Sequence, residues 1–139
     1  MDEEKLKRNR GVVDTYFMAL ENNKPDVLGE ILAVDVIKKL PYAPTGFPKE
    51  LNGAEEVIRH YQKMFDHFNK ILLTRHVYPT DNPDIFFAQF IGVFTRKDGT
   101  VYRNNYIVKF KLKDYIVIEY DEYFDPVLMA EEFNFKLGK

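Results

Sequence analysis

The sequence predicts an α+β fold, with helices gathered on one face of an antiparallel sheet. Three observations carry this. Two segments, residues 3–23 and 53–68, space their apolar residues at the helical period. From residue 70 onward the chain reads as four successive strands. Short polar turns join those strands, as a meander requires. With 139 residues the chain has the length of one domain, expected over 1–139, and 45% apolar residues with nine Tyr and twelve Phe predict an aromatic-rich interior.

In residues 3–23, Leu6, Val13, Tyr16, Phe17 and Leu20 form a single stripe. Pro25 ends this helix, and a short second helix follows with Leu28, Ile31 and Leu32 inward. Residues 35–40, DVIKKL, read as a short strand. Residues 41–53, PYAPTGFPKELNG, hold three of the seven prolines and read as a long loop, either a site wall or a structural crossover. In 53–68 the stripe is Val57, Ile58, Tyr61, Met64, Phe65 and Phe68, with His60 at its edge.

Strands are expected over 70–79 and 85–96. The second, IFFAQFIGVFTR, is apolar on both faces, so Gln89 is expected in a buried interior, as a ligand-orienting amide or a satisfied core amide. Residues 97–100 form a hairpin turn, and residues 102–112 follow with Tyr102, Asn104, Tyr106, Val108, Phe110 and Leu112 on one face. In 116–126 the matching face carries Ile116, Ile118, Tyr120, Glu122 and Phe124. A three-residue loop, 113–115, keeps the two apolar faces together and sets Tyr106 opposite Glu122. Lys109, Lys111 and Lys113 then form a solvated face, and residues 127–133 a closing helix.

Glu122 thus breaks the pattern, as a carboxylate on an apolar strand face. It is either a working acid/base group or a structural carboxylate bonded to Tyr106, Tyr16 or His60. A net charge of −2 gives no reason to expect nucleic acid or an anionic membrane as partner. There is no Cys, and no His or carboxylate spacing typical of a metal site, so no metal or cofactor is expected. The charged N-terminus lacks an apolar signal core and no segment is long enough to span a membrane, which places the expected location in the cytoplasm.

The segments VVDTYFMALENN, LPYAPTGFPKELNGAEEVIRHY and YRNNYIVKFKLKDYIVIEYDEYFDP, in this order over residues 9–126, resemble the nuclear transport factor 2-like superfamily. The chain is most similar to its SnoaL-like polyketide-cyclase and ketosteroid-isomerase-related branch. This resemblance implies a cone-shaped half-barrel with a curved sheet wrapped around the N-terminal helices, as in the cystatin-like folds. In the phenazine-biosynthesis A/B proteins of this group, Glu122 matches an acid/base glutamate and His60 a cavity-lining histidine. Met64 stands where they have a carboxylate-binding serine. Against the ketosteroid isomerases, Tyr16 matches the oxyanion-stabilising tyrosine. Leu40 and Val108, however, replace the two acids, which argues against steroid isomerisation.

Residues and resemblance together imply a cofactor-free enzyme working by proton transfer on a cyclic or polyketide-like carbonyl compound. Glu122 and His60 are its expected catalytic pair, and Tyr16, Tyr61, Met64, Gln89, Asn104, Tyr106 and Tyr120 its expected substrate contacts. A non-catalytic binder of an apolar small molecule is the alternative. A homodimer through the outer sheet face, bearing Ile107, Val117 and Tyr123, is compatible with either.

Overall fold

A computed structural model describes residues 2–134. Its elements are α1 (Glu3–Glu21), α2 (Pro25–Ile31), β1 (Leu32–Lys39), β2 (Glu50–Asn52), α3 (Ala54–His67), β3 (Phe68–Pro79), β4 (Ile85–Arg96), β5 (Val101–Lys113), β6 (Ile116–Phe124) and α4 (Pro126–Phe133). The strands form one curved, unclosed sheet in the order β2-β1-β6-β5-β4-β3. Strands β3 to β6 are the expected antiparallel meander. The sheet as a whole is mixed, because β1 runs parallel to β6. This α+β half-barrel agrees with the fold class expected from the sequence.

Local chemistry sets the helix ends. The Asp2 carboxylate caps α1 by accepting from Lys5 N at 3.0 Å, and Glu3 and Glu4 sit in the first turn, where the helix dipole favours negative charge. Asp125 caps α4 by accepting from Val127 N and Leu128 N, with Pro126 opening the helix. The loop over 41–53 ends in a strand that its prolines disguise: β2 pairs antiparallel with the end of β1.

One end of the half-barrel is filled. Val13, Tyr16 and Phe17 of α1 share one core, essentially without solvent contact, with Phe86, Val108, Phe110 and Val117 of the sheet, and both rings of α1 meet Phe110 edge-on. Tyr16 lies with its ring centroid 4.9 Å from that of Tyr120, and Phe17 meets Phe90 edge-on at 5.1 Å. Toward its C-terminus α1 offers only Leu20 to the other end, and there the sheet encloses a cavity.

Three expectations about strands need correction. The β5–β6 connection is a two-residue turn, Asp114-Tyr115, with both φ angles positive (52° and 65°), as a type I′ hairpin requires. It pairs Lys113 with Ile116, and a bulge at Ile118 then restores parity, so that Val108, not Tyr106, opposes Glu122. Tyr106 opposes Phe124. The two-residue turn sets Val117 opposite the buried Leu112, ahead of the bulge, so Val117 faces the core, is fully buried and is not part of the outer face. Gln89 points outward and is exposed. The strand around it looks doubly buried because its outer face is itself apolar, with Phe87 and Ile91 39% and 48% exposed.

Candidate active site

The cavity encloses about 310 Å³ and is walled mainly by aromatic rings. Phe68, Phe90, Phe94, Tyr102 and Tyr106 come from the sheet, and Met129 and Phe133 from α4. Helix α3 contributes His60, Tyr61, Lys63, Met64 and His67, whose spacing places them on one helical side. The proline-rich loop contributes Phe47, whose ring stands edge-on to His60 with centroids 5.2 Å apart. The loop is therefore a wall of the cavity. Gly92, at the base of the sheet wall, leaves space for two of these rings: a Cβ there would lie 2.5 Å from Phe94 Cε2 and 2.9 Å from Tyr106 Cε1.

Against these rings stands a small polar group built on β1, β6 and α3. Lys38 and Tyr120 are register partners on the parallel strands β1 and β6, and Glu122 follows two residues later on the same face. Lys38 Nζ lies 3.6 Å from Glu122 Oε1 and donates to the Tyr61 hydroxyl at 2.7 Å. It also sits over the Tyr61 ring, 4.0 Å from the centroid, a cation–π arrangement. Tyr120 Oη donates to Glu122 Oε1 at 3.4 Å. The Tyr61 hydroxyl is hydrogen-bonded in turn to that of Tyr16.

Burial dominates the protonation of this group. It pushes the Lys38 ammonium pKa down, and the Glu122 carboxylate opposes that only in part. Burial also holds the Tyr16, Tyr106 and Tyr120 hydroxyls well above the usual phenol range, and it raises Tyr102 to about 12. All four remain neutral donors at physiological pH. His60 is lowered to about 4, first by burial and then by the positive charges of Lys38 and Lys63, so its imidazole is neutral there as well. Its buried Nδ1 has no hydrogen-bond partner among the described residues.

Of the residues expected from the sequence, Glu122, His60, Tyr61, Met64, Tyr106 and Tyr120 line the cavity together. Three do not. Tyr16 lies one layer back, behind the cavity wall, and touches the site through the Tyr61 hydroxyl and the Tyr120 ring. Asn104 is consumed internally: its amide donates to Tyr102 Oη at 2.7 Å and Asp125 O at 3.1 Å, and its oxygen accepts from Asn105 N and Asp125 N. Gln89 faces outward, as described. The proposed Glu122–Tyr106 pair is replaced by Glu122 with Lys38 and Tyr120.

Sequence reasoning overlooked Lys38. The signal was present, since Val36, Lys38 and Leu40 alternate in the same way that exposed Glu122, and all three are buried. A lysine followed by a second lysine reads instead as surface, which is true of Lys39, paired at 3.0 Å with Glu119. Among the described residues no group of three His or carboxylates is placed to hold a metal ion, and no helix is long and apolar enough to cross a membrane.

The architecture is the nuclear transport factor 2-like fold. A protein of that type from Burkholderia pseudomallei, of unknown function, superposes with a TM-score of 0.75 at 16% identity, covering 89% of this chain and 95% of its own. A phenazine biosynthesis-related protein of Pseudomonas aeruginosa matches with a TM-score of 0.82 and 19% identity over 100% of this chain and 89% of its own. A candidate isomerase from Bacillus subtilis gives 0.81 and 18% over 97% and 99%. In sequence, the chain is 26% identical over 110 residues to YesE of Bacillus subtilis strain 168, a protein of uncharacterised function, covering 76% of this chain and 73% of YesE. No family model matches the sequence.

Proposed function

We propose that this chain binds a small, largely apolar carbonyl compound in the aromatic cavity and moves protons on it without a cofactor. The observation that carries this reading is the position of Glu122. Its carboxylate stands in the cavity wall beside Lys38 and Tyr120, and His60 lines the same cavity from α3. A flat ring stacks readily on Phe68, Phe94 or Tyr102. Its carbonyl oxygen then accepts from a neutral donor, His60 or Tyr106, while Glu122 removes the proton on the adjacent carbon. Transfer of that proton to another atom of the same substrate gives isomerisation or ring closure. The structural neighbours include a candidate isomerase and a phenazine biosynthesis-related protein, names that fit such chemistry.

The test is turnover of a panel of cyclic ketones by wild type and by Glu122→Gln. Loss of roughly 100-fold or more in the variant supports the assignment. Equal rates remove Glu122 from the mechanism.

A second reading, binding without turnover, is favoured by the small share of polar groups in the wall. It predicts a ligand that raises the melting temperature equally in wild type and Glu122→Gln. We further propose that the outer sheet face pairs two copies of the chain. Phe87, Ile91 and Ile107 lie exposed there on adjoining strands, more apolar than an isolated surface needs.

A further inference from the structure

Measured over the whole residue, Lys38 alone among the buried described residues carries a charge; Asn9 and Asn104 are the buried side-chain amides. A buried ammonium is stable when its donors are matched and its charge is met at close range. Lys38 has one hydroxyl at 2.7 Å and one carboxylate oxygen at 3.6 Å, beyond ordinary hydrogen-bond length. The rest of its surroundings are the faces of Tyr61 and Tyr120 and the cavity itself. A structural counter-ion for Glu122 would be better served by arginine, whose planar fork engages both oxygens. What lysine offers instead is an amine that can lose its proton and act as a nucleophile when desolvated in an apolar pocket.

We infer that Lys38 is a covalent amine catalyst, forming an imine with the carbonyl carbon of the bound substrate, with Glu122 as its proton relay. The inference deepens the reading of this cavity as a carbonyl site and rests on it. The lone pair of neutral Nζ adds to the carbonyl carbon, and the C=O π pair moves to oxygen. The amine is freed by loss of one ammonium proton to Glu122, which passes that proton to the new alkoxide oxygen and then takes a second from the nitrogen, giving a neutral carbinolamine. The protonated Glu122 returns this second proton to the hydroxyl, which leaves as water with its bonding pair, and the nitrogen lone pair closes the C=N bond as a protonated imine. Ketone plus ammonium has become iminium plus water, with no change in oxidation level. The iminium acidifies the adjacent C–H, and Glu122, already 3.6 Å from the nitrogen, is placed to take that proton. Reversal of the addition releases the product and restores the amine.

The burial-lowered pKa of Lys38 is consistent with this, since it increases the fraction of free amine near neutrality.

The test uses cyclohexanone with sodium cyanoborohydride, which donates hydride to an iminium and fixes it as a secondary amine, followed by peptide mapping of the wild-type protein. Lys38 is expected to be alkylated at least about tenfold faster than any other lysine, and about tenfold more slowly in Glu122→Gln. Alkylation spread over surface lysines with Lys38 unmodified overturns the inference. If Glu122-dependent exchange of the α-protons of cyclohexanone persists in that case, the carbonyl-site reading survives; if exchange is absent too, both fall. Lys38→Arg adds a second readout, provided its circular dichroism is native. It keeps the charge and removes the nucleophile, so full retention of exchange contradicts the inference and its loss supports it.

Discussion

Lys38 Nζ lies 3.6 Å from Glu122 Oε1, inside the half-barrel and facing its cavity. The two residues come from opposite ends of the chain and meet because β1 runs parallel beside β6, with Lys38 level with Tyr120. Neither residue makes sense on an apolar face alone; together they form a compensated charge pair at the edge of a binding space. Removing one partner strands the other in a poorly solvated place. Because Glu122 keeps some solvent contact, Glu122→Gln is expected to cost about 2 kcal/mol, and Lys38→Met about the same. The double variant is expected to cost at least about 1 kcal/mol less than the sum. Denaturant unfolding of the four proteins measures this coupling, and strict additivity would show that the pair does not interact.

His60 makes stability depend on pH. Its folded pKa of about 4 lies below the ordinary histidine value of about 6.5. Between these values the unfolded chain binds more protons than the folded one, so stability rises with pH across that window and falls as the solution is acidified through it. Above the window the neutral imidazole carries no such penalty. The expected result is a His60 titration by NMR with a midpoint near 4, and a shallower acid-side loss of stability in His60→Gln. A midpoint near the ordinary value would show that the ring is solvated and does not face a dry cavity.

Helix α4 covers one side of the site, and its C-terminal turn is tied to β4 and α3 through the Glu132 carboxylate. Glu132, only 3% exposed, receives Arg96 through Nε and Nη2 and lies 3.2 Å from His67 Nε2. Replacing Glu132 with alanine should release Met129 and Phe133 from the cavity while leaving the sheet intact. Amide hydrogen exchange is expected to accelerate in residues 126–133 but not in β4 or β5. Equal protection in variant and wild type would mean that apolar contact alone holds the helix.

Gly92 gives a steric test of the cavity wall. An alanine Cβ meets the Phe94 and Tyr106 rings well inside contact distance, so these cavity-lining rings must shift. Gly92→Ala should cost about 1–3 kcal/mol through overpacking. It should also weaken binding of cyclic ketones more than binding of smaller acyclic ones. A loss of stability with unchanged selectivity would place the adjustment elsewhere.

The outer face offers a prediction about assembly. If Ile107 is central to contact between copies, Ile107→Lys should shift the sedimentation coefficient of a dimeric wild type to that of a monomer, with melting by circular dichroism little changed. A wild type that sediments as a monomer at micromolar concentration would remove the dimer.

Much of this arrangement can be read from residue alternation. The inward face of β5, Tyr102 through Leu112, and the inward position of Glu122 follow from a period of two. The aromatic stripes of α1 and α3 follow from the helical period. Three features resist this kind of reading for physical reasons. The tight Asp114-Tyr115 turn and the bulge at Ile118, which local pattern does not announce, each shift the register by one residue and together move the partner of Glu122 from Tyr106 to Val108. Gln89 sits on a face whose apolar neighbours imitate a core, so composition misplaces it. The parallel pairing of β1 with β6 joins segments with the whole sheet between them in sequence, and nothing in either strand specifies it. That pairing is also what makes Lys38 part of the site.

In the proposed function, Glu122 transfers a proton at the carbon beside a carbonyl held in the cavity. Its most direct measurement is deuterium wash-in at the α-carbon of cyclohexanone in heavy water, followed by proton NMR, with wild type and Glu122→Gln compared at equal concentration. Catalysed exchange is expected from the wild type, with a loss of about 100-fold or more in the variant. Wash-in at the uncatalysed rate with both proteins, or at the same catalysed rate with both, would contradict it.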